Sequence, residues 1–362
     1  MGTPVTPLQP SEFPRQERPG DLTPFLRLLI SGQTLTIDQA QAAFGEMMGG
    51  QSHPAEVGAL LALLARRLPT VEELTGAVLV MRSHVTALKT SIDPSRILDT
   101  AGTGGAPKAF NASTLAAIIA ASQGVHVAKH GNRSRTGRGS AEVLEVLGLP
   151  LELGLEGQRR CLEQAHFAFC FAPNHHPAAR HAMPIRKALG FPTIFNLVGP
   201  LTNPAYARRQ VVGVYDRAFV PLIASVLREL GTEHALVYHG LDGLDEMTTG
   251  ASTLLAEVKR TAQGGSVHMR EITPESVGVR HGNPLSVSPT SLPEAAQLFR
   301  DVLSGRAASI AMEMSVINAA AALVAGGCAE NLTEGTAFAR KSIASGAAGA
   351  ALERLITVAR SA

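Results

Sequence analysis

Between residues 96 and 129 the chain follows a pattern that few folds accept. Arg96-Ile97-Leu98-Asp99 reads as a short strand. The glycine-rich Ala101-Gly102-Thr103-Gly104-Gly105 follows, then a helical stretch over about 113–123 that Gly124 closes. Val125-His126-Val127-Ala128-Lys129 then reads as a second strand. Strand, glycine loop, helix and strand in this order form the unit of a parallel sheet covered by helices. The pattern resumes with strands at 210–215 and 235–238 around a helix near 219–230.

The chain before residue 93 has a different character. Thr23-Pro24 predicts an N-cap with proline at the first helical position, and Leu26, Leu29 and Ile30 give a face of helical period. Thr36-Ile37-Asp38-Gln39 and Thr70-Val71-Glu72-Glu73 are capping boxes. Between them Pro54 opens a helix carrying Val57, Leu60, Leu61 and Leu64. Four short helices by about residue 90 make a small bundle. A segment over about 176–205 is helical in pattern but broken by Pro184, Pro192, Pro200 and Pro204. It is expected to return to the helical domain. The expected class is therefore α/β: a small all-helical N-terminal domain (21–92) and a larger α/β domain (93–175 and 206–362) around a mostly parallel central sheet. Residues 1–20 hold five prolines and no apolar run, which predicts an unstructured tail and not a secretory signal.

Bulk properties exclude several functions. A net charge of +2 means that attraction for phosphate must come from a local cluster. Twelve Phe, three Tyr and no Trp leave little for a surface that stacks bases. Cys161, Cys170 and Cys328 form no C-x-x-C pair, which argues against a disulfide framework or structural zinc and for a reducing, cytoplasmic setting. No uninterrupted apolar run reaches about 18 residues, so no membrane span is expected.

Four clusters could carry chemistry. Gly102-Thr103-Gly104-Gly105 precedes Asn111-Ala112-Ser113-Thr114 at a helix start, where backbone N–H groups and hydroxyls suit a phosphate or a metal. A tight structural turn with an ordinary cap is the alternative. The basic run from Lys129-His130-Gly131-Asn132-Arg133 to Thr136-Gly137-Arg138-Gly139-Ser140 leaves a strand end and could close over a diphosphate. Otherwise it is a solvated loop or a nucleic-acid contact. Asp245-Glu246, in a loop after a strand, offers hard oxygens for Mg²⁺ beside these anion cradles, or else a solvated acidic turn. Arg186 could clamp a carboxylate or lie at the surface. His175 and His176 have no matching ligand set and are expected at the surface or as caps.

Taken in order, LDTAGTGG, FNAST, VAKHGNR, GSAEVLEVLG, PTIFNLVGPLTNPA and HGLDGLDEMT closely resemble the anthranilate phosphoribosyltransferases. INAAAALVAGG and SGAAGAALERL resemble that family's final helices. The resemblance implies transfer of the phosphoribosyl group of phosphoribosyl diphosphate (PRPP) to the amine of anthranilate, in tryptophan biosynthesis. It implies that Gly102, Thr103, Gly104, Gly105, Asn111, Ser113 and Thr114 cradle PRPP. Lys129, His130, Gly131, Asn132, Arg133, Thr136, Gly137 and Ser140 would complete that site. Gly102, Asn132 and Arg186 would face anthranilate, and Ser113, Asp245 and Glu246 would hold Mg²⁺, two ions in all. No acid–base residue is implied, and the partner implied is a second copy bound through the helical domain. Ala106-Pro107 stands where the family usually has Asp-Gly, and the glycine and basic loops are each one residue shorter than usual. Two alternatives remain open on sequence: a phosphorylase of pyrimidine nucleosides, and a non-catalytic relative binding nucleic acid through Arg133, Arg135 and Arg138.

Overall fold

The computed structural model describes residues 18–107, 109–134, 137–262 and 264–361. Four helices open the chain: α1 (Thr23–Ile30), α2 (Ile37–Met48), α3 (Pro54–Ala65) and α4 (Val71–Ser83). Both capping boxes form, with Thr36 and Gln39 closing one helix start and Thr70 and Glu73 the other. The cap of α1 differs from expectation. Thr23 is already helical, and the Asp21 carboxylate accepts from its N–H at 3.0 Å. The N–H groups of Phe25 and Leu26, which a Thr23 cap would serve, donate to Leu22 O at 3.1 and 3.0 Å instead. The last residues of the expected tail are fixed as well. Arg18 pairs with Glu56 at 2.5 Å and Gly20 N donates to Glu46 at 2.9 Å. Residues 1–17 lie outside the described residues.

The α/β part begins with β1 (Ile97–Asp99), α5 (Ala112–Ser122), β2 (His126–Gly131), α6 (Ser140–Val146), α7 (Leu155–Ala165) and β3 (Phe167–Phe171). A helical excursion follows, with α8 (Ala172–His175), α9 (Met183–Leu189) and α10 (Phe195–Val198). Then come β4 (Arg209–Gly213), α11 (Phe219–Glu229), β5 (His234–Gly240), β6 (Thr253–Thr261) and β7 (Gly264–Ile272). The chain ends in α12 (Leu292–Leu303), α13 (Ser309–Gly326), α14 (Leu332–Ala344) and α15 (Ala347–Arg360).

The seven strands make one sheet in the order β3-β2-β1-β4-β5-β6-β7. The first five are parallel, and the β6–β7 hairpin is antiparallel. The fold is thus the expected one, with β3, β6 and β7 added to the strands that the sequence pattern shows. Because the five strands run the same way, Asp99, Gly131, Gly213 and Gly240 all finish on one edge. The loops that follow them gather there, which is where open α/β sheets bind ligands.

Two buried clusters hold the molecule together. One packs α5, α13 and α15 with β1, β2 and β3. α13 is the one helix among the described residues long and apolar enough to span a membrane, and it lies buried in this core. The other runs from Leu60, Leu74 and Val78 through Phe195 and Leu201 to Val212, Val237 and Leu227. Side chains of the 176–205 segment therefore share a core with the N-terminal helices.

Candidate active site

The edge is organised by a carboxylate that sequence motifs do not single out. Asp99 ends β1 and is fully buried. Ala101 N and His130 N donate to its Oδ1 at 3.1 and 3.0 Å, and Asn203 Nδ2 donates to Oδ2 at 2.8 Å. Asn203 also donates to Ala128 O at 2.7 Å. Burial pushes the Asp99 carboxyl up to about 6, against the pull of Asn203 and Lys129. One side chain thus ties together the glycine loop, the basic loop and the turn before β4.

The glycine loop docks on the end of β4. Thr103 N donates to Gly213 O at 2.9 Å, and Thr103 Oγ1 accepts from Tyr215 N at 3.1 Å. A Cβ on Gly102 would stand 2.8 Å from Gly213 O, so glycine is required for this approach. Gly104 and Gly105 follow with φ of +62° and +99°, both exposed.

α5 begins where this loop ends. Its cap position is Asn111, whose amide donates to Arg138 O at 3.3 Å and so serves the basic loop. The Glu246 carboxylate lies at the helix start instead, with Ser113 N donating to Oε1 at 3.3 Å. Around the same turn, Thr114 Oγ1 donates to Ser140 Oγ at 2.6 Å. Lys129 is buried, and its Nζ reaches Thr100 O at 2.8 Å, Thr100 Oγ1 at 2.9 Å and Ser113 Oγ at 3.3 Å. An ammonium, four hydroxyls and a helix N-terminus converge here, which is the composition of an anion site.

Asp245 and Glu246 lie in the loop between β5 and β6. A Cβ on Gly213 would collide with the Asp245 carbonyl, so the loop rests directly on the β4 backbone. Burial, Glu246 and Asp245 together hold the nearby Tyr238 phenol well above its ordinary range. Two carboxylates and the Ser113 hydroxyl are hard oxygen donors of the kind Mg²⁺ takes. No group of three or more His, Cys, Asp or Glu gathers anywhere among the described residues. The set therefore fits an ion that completes its shell from water and substrate phosphate, not an all-protein cage.

The remaining predicted residues fall into three groups. His130 is buried beside His176. His130 Nδ1 lies 3.1 Å from Gly199 O, which only accepts, so its proton sits on Nδ1. His130 Nε2 is then free to accept from His176 Nε2 at 3.1 Å. Burial and the neighbouring imidazoles push His130 down to about 3 and His176 down to about 4. His175 is buried too, between Thr86 O at 2.7 Å and Gln158 Oε1 at 2.8 Å. The surface alternative for these histidines is corrected, since both are buried against partners from distant segments, while His176 does stand at the C-terminal cap of α8. Asn132 and Gly137 are exposed. Arg133 forms a two-pronged exposed pair with Glu145 at 3.0 and 3.2 Å, directed at α6. Arg135 and Thr136 lie outside the described residues.

Arg186 stands on α9. Its guanidinium lies 4.7 Å from the centre of the Phe195 ring, and Nη1 reaches the Met183 sulfur at 3.4 Å. Burial lowers its pKa. No carboxylate among the described residues pairs with it. A half-buried cation stacked on an aromatic ring, with no counter-ion among those residues, is prepared for an anionic, planar partner.

Comparison with known proteins agrees with this geometry. The α/β-domain model of a glycosyl transferase family matches residues 94–349, and its helical-bundle model matches residues 23–85. The anthranilate phosphoribosyltransferase of Rubrobacter xylanophilus is 44% identical over 337 residues, covering 92% of this chain and 96% of that one. That of Xanthobacter autotrophicus is 43% identical over 340 residues, covering 93% and 96%. The crystal structure of the Thermus thermophilus enzyme superimposes with a TM-score of 0.84 at 36% identity, over 92% of this chain and 99% of that one. The Saccharomyces cerevisiae enzyme, solved with PRPP and Mg, shares the fold with a TM-score of 0.83 at 24% identity, over 94% and 98%. The chain belongs to the anthranilate phosphoribosyltransferase family, glycosyl transferases that join a helical bundle to an α/β domain.

Proposed function

We propose that this chain transfers the phosphoribosyl group of PRPP to the amine of anthranilate, releasing diphosphate and N-(5-phosphoribosyl)anthranilate, in tryptophan biosynthesis. One observation carries the reading: Glu246, Ser113 and Lys129 meet at the N-terminus of α5, the helix that follows the exposed Gly104-Gly105 in the chain. The α5 N-terminus, Lys129, Thr114 and Ser140 then bind the phosphates of PRPP. Gly102, Thr103, Asn111, His130, Gly131, Asn132, Arg133, Thr136 and Gly137 complete the cradle. Ser113, Asp245 and Glu246 would hold two Mg²⁺ ions, which supply positive charge to the departing diphosphate.

The chain's own residues do the positioning. Arg186 takes the anthranilate carboxylate, with Gly102 and Asn132 on the acceptor side. Burial keeps His130 and His176 neutral, so they add no positive charge behind the basic loop. That amine attacks as a neutral nucleophile while positive charge builds at the ribose C1. Lys129 and the helix N-terminus stabilise the leaving group as its charge develops. The proton that the nitrogen sheds as the C–N bond forms passes to water or to the departing diphosphate, so no general base from the chain is required, and orientation of the two substrates supplies most of the rate.

The partner is a second copy of the chain, docked through the helical domain. α1, α3 and α9 pack side by side, and Ile30, Met183 and Phe191 remain exposed on or beside them. Phe25, Leu26, Leu63 and Ile185 are only partly covered. Three free thiols, Cys161, Cys170 and Cys328, support a reducing cytoplasm. The test of the activity is direct: PRPP, Mg²⁺ and anthranilate with purified protein should show loss of anthranilate fluorescence. Retention of fluorescence at millimolar PRPP would overturn the reading.

A further inference from the structure

The centre of α13 reads Val316-Ile317-Asn318-Ala319-Ala320-Ala321-Ala322-Leu323, and Asn318 is fully buried in this apolar run. A buried carboxamide is costly unless its donors and acceptor are paired. All of them are. Asn318 Oδ1 accepts from Met247 N at 3.1 Å, while Nδ2 donates to Met247 O at 2.8 Å and to Met314 O at 2.9 Å. The side chain therefore pairs with both polar groups of one residue, as a neighbouring strand would. An aliphatic side chain of similar size would fill the same space but could not match an N–H and a C=O together.

Met247 is itself fully buried and directly follows Asp245-Glu246. The loop is gripped on both sides of the acidic pair. The Asp245 carbonyl rests on Gly213, where any side chain would collide. Beyond Met247, Thr248 N donates to Thr253 Oγ1 at 3.2 Å, and Thr248 Oγ1 donates to Asp242 at 2.5 Å. Asp245 on one side of Glu246 is held by packing on Gly213, and Met247 on the other side is held by the hydrogen-bonded Asn318 pair.

We propose that Asn318 is a positioning residue for the magnesium site: it sets the backbone at Met247 and thereby the direction in which the acidic pair leaves the loop, with Glu246 toward Ser113. The proposal rests on the reading of those two carboxylates as metal ligands. Partners that orient ligating carboxylates typically change metal affinity by about 10- to 100-fold when removed.

The probe is Mn²⁺, followed by electron paramagnetic resonance in the presence of PRPP and without anthranilate. Asn318→Leu removes both contacts to Met247, and Asn318→Ser adds no volume and keeps one hydroxyl as a milder variant should the first fail to fold. Circular dichroism melting identifies which variants are folded. The expected result is Mn²⁺ binding weakened about tenfold or more in Asn318→Leu, and less in Asn318→Ser, with the anthranilate KM within about twofold of wild type. Mn²⁺ binding within about twofold of wild type in either folded variant overturns the proposal. So does an equal rise in the anthranilate KM, since that marks general loosening. The double variant Asp245→Asn with Glu246→Gln is measured alongside. If it binds Mn²⁺ normally, the metal reading itself has failed, whatever Asn318 does.

Discussion

Ser113 N and the Glu246 carboxylate meet at 3.3 Å, although 133 residues separate them in the chain. An acidic side chain thus stands at the helix N-terminus that suits a phosphate. Such a contact is worth only about 0.3–1 kcal/mol. It is weak enough to be shared with an arriving diphosphate and its metal.

Replacing Asp245 by Asn and Glu246 by Gln should abolish turnover and leave the ligand-free protein intact. The carboxamide oxygen introduced in place of the Glu246 carboxylate can still accept from Ser113 N, and loss of two adjacent like charges relieves repulsion. Thermal melting should show a midpoint unchanged or slightly raised. A destabilisation of several kcal/mol would make the pair structural.

Arg186→Ala should raise the anthranilate KM far more than the PRPP KM. Losing a charge-assisted bond to a carboxylate costs about 1.5–3 kcal/mol, or roughly 10- to 150-fold. Arg186→Lys should recover little, because an ammonium does not reproduce the flat stack on Phe195. Steady-state kinetics with each substrate varied in turn decides this, and equal effects on both would place Arg186 elsewhere.

The buried carboxyl and the buried imidazoles give opposite pH signatures. Asp99 holds its proton up to about 6, whereas an unfolded aspartate releases it near about 3.9. Its contribution to stability therefore falls as pH rises from about 4 to about 6 and is constant above that. Urea unfolding of wild type against Asp99→Asn should show the difference shifting by about 2 kcal/mol toward the variant between pH 4 and pH 7. A constant difference would mean that Asp99 is charged throughout. His130 and His176 are depressed to about 3 and about 4, so the unfolded chain takes up protons below about 6.5 that the native state refuses. They weaken the fold as pH drops. Their ring protons should show no NMR titration between pH 5 and 8; a midpoint near about 6.5 would contradict the buried, neutral pair.

Light scattering should give a dimer, and Leu26→Glu on α1 should shift it toward monomer with secondary structure retained. A wild-type protein that stays monomeric at every concentration would remove the second copy from the functional proposal.

The glycine loop, both capping boxes and the strand–helix–strand unit are legible in the sequence because each is local. A turn needs glycine, a cap needs a hydroxyl, and a buried strand needs an apolar run within a few residues. Phe167-Ala168-Phe169-Cys170-Phe171 is not legible as β3, because a strand buried on both faces does not alternate and resembles a piece of buried helix. β7 is largely exposed and carries His268, Arg270 and Glu271, so it gives no apolar signal. Asp99 could be noticed as the acidic end of a short strand before a glycine loop. Asn203 and Asn318 reach the site through partners more than 70 residues away, Asp99 and Met247, which no spacing shows. His175 and His176, side by side in sequence, turn to Gln158 and His130, 17 and 46 residues away, and spacing does not show that either.

The second buried cluster passes without a break from Leu74 and Val78 of α4 to Leu227 of α11 and Val237 of β5. Family models divide the chain near residue 90, but solvent does not. A version beginning at residue 93 would bare the apolar flank of α11 and lose the cover over Phe195, beneath Arg186. The bundle is therefore not an accessory that could be exchanged for another at leisure. Grafting a foreign bundle would require recutting the inner surface of the sheet's own helices, so the two modules are constrained to change together.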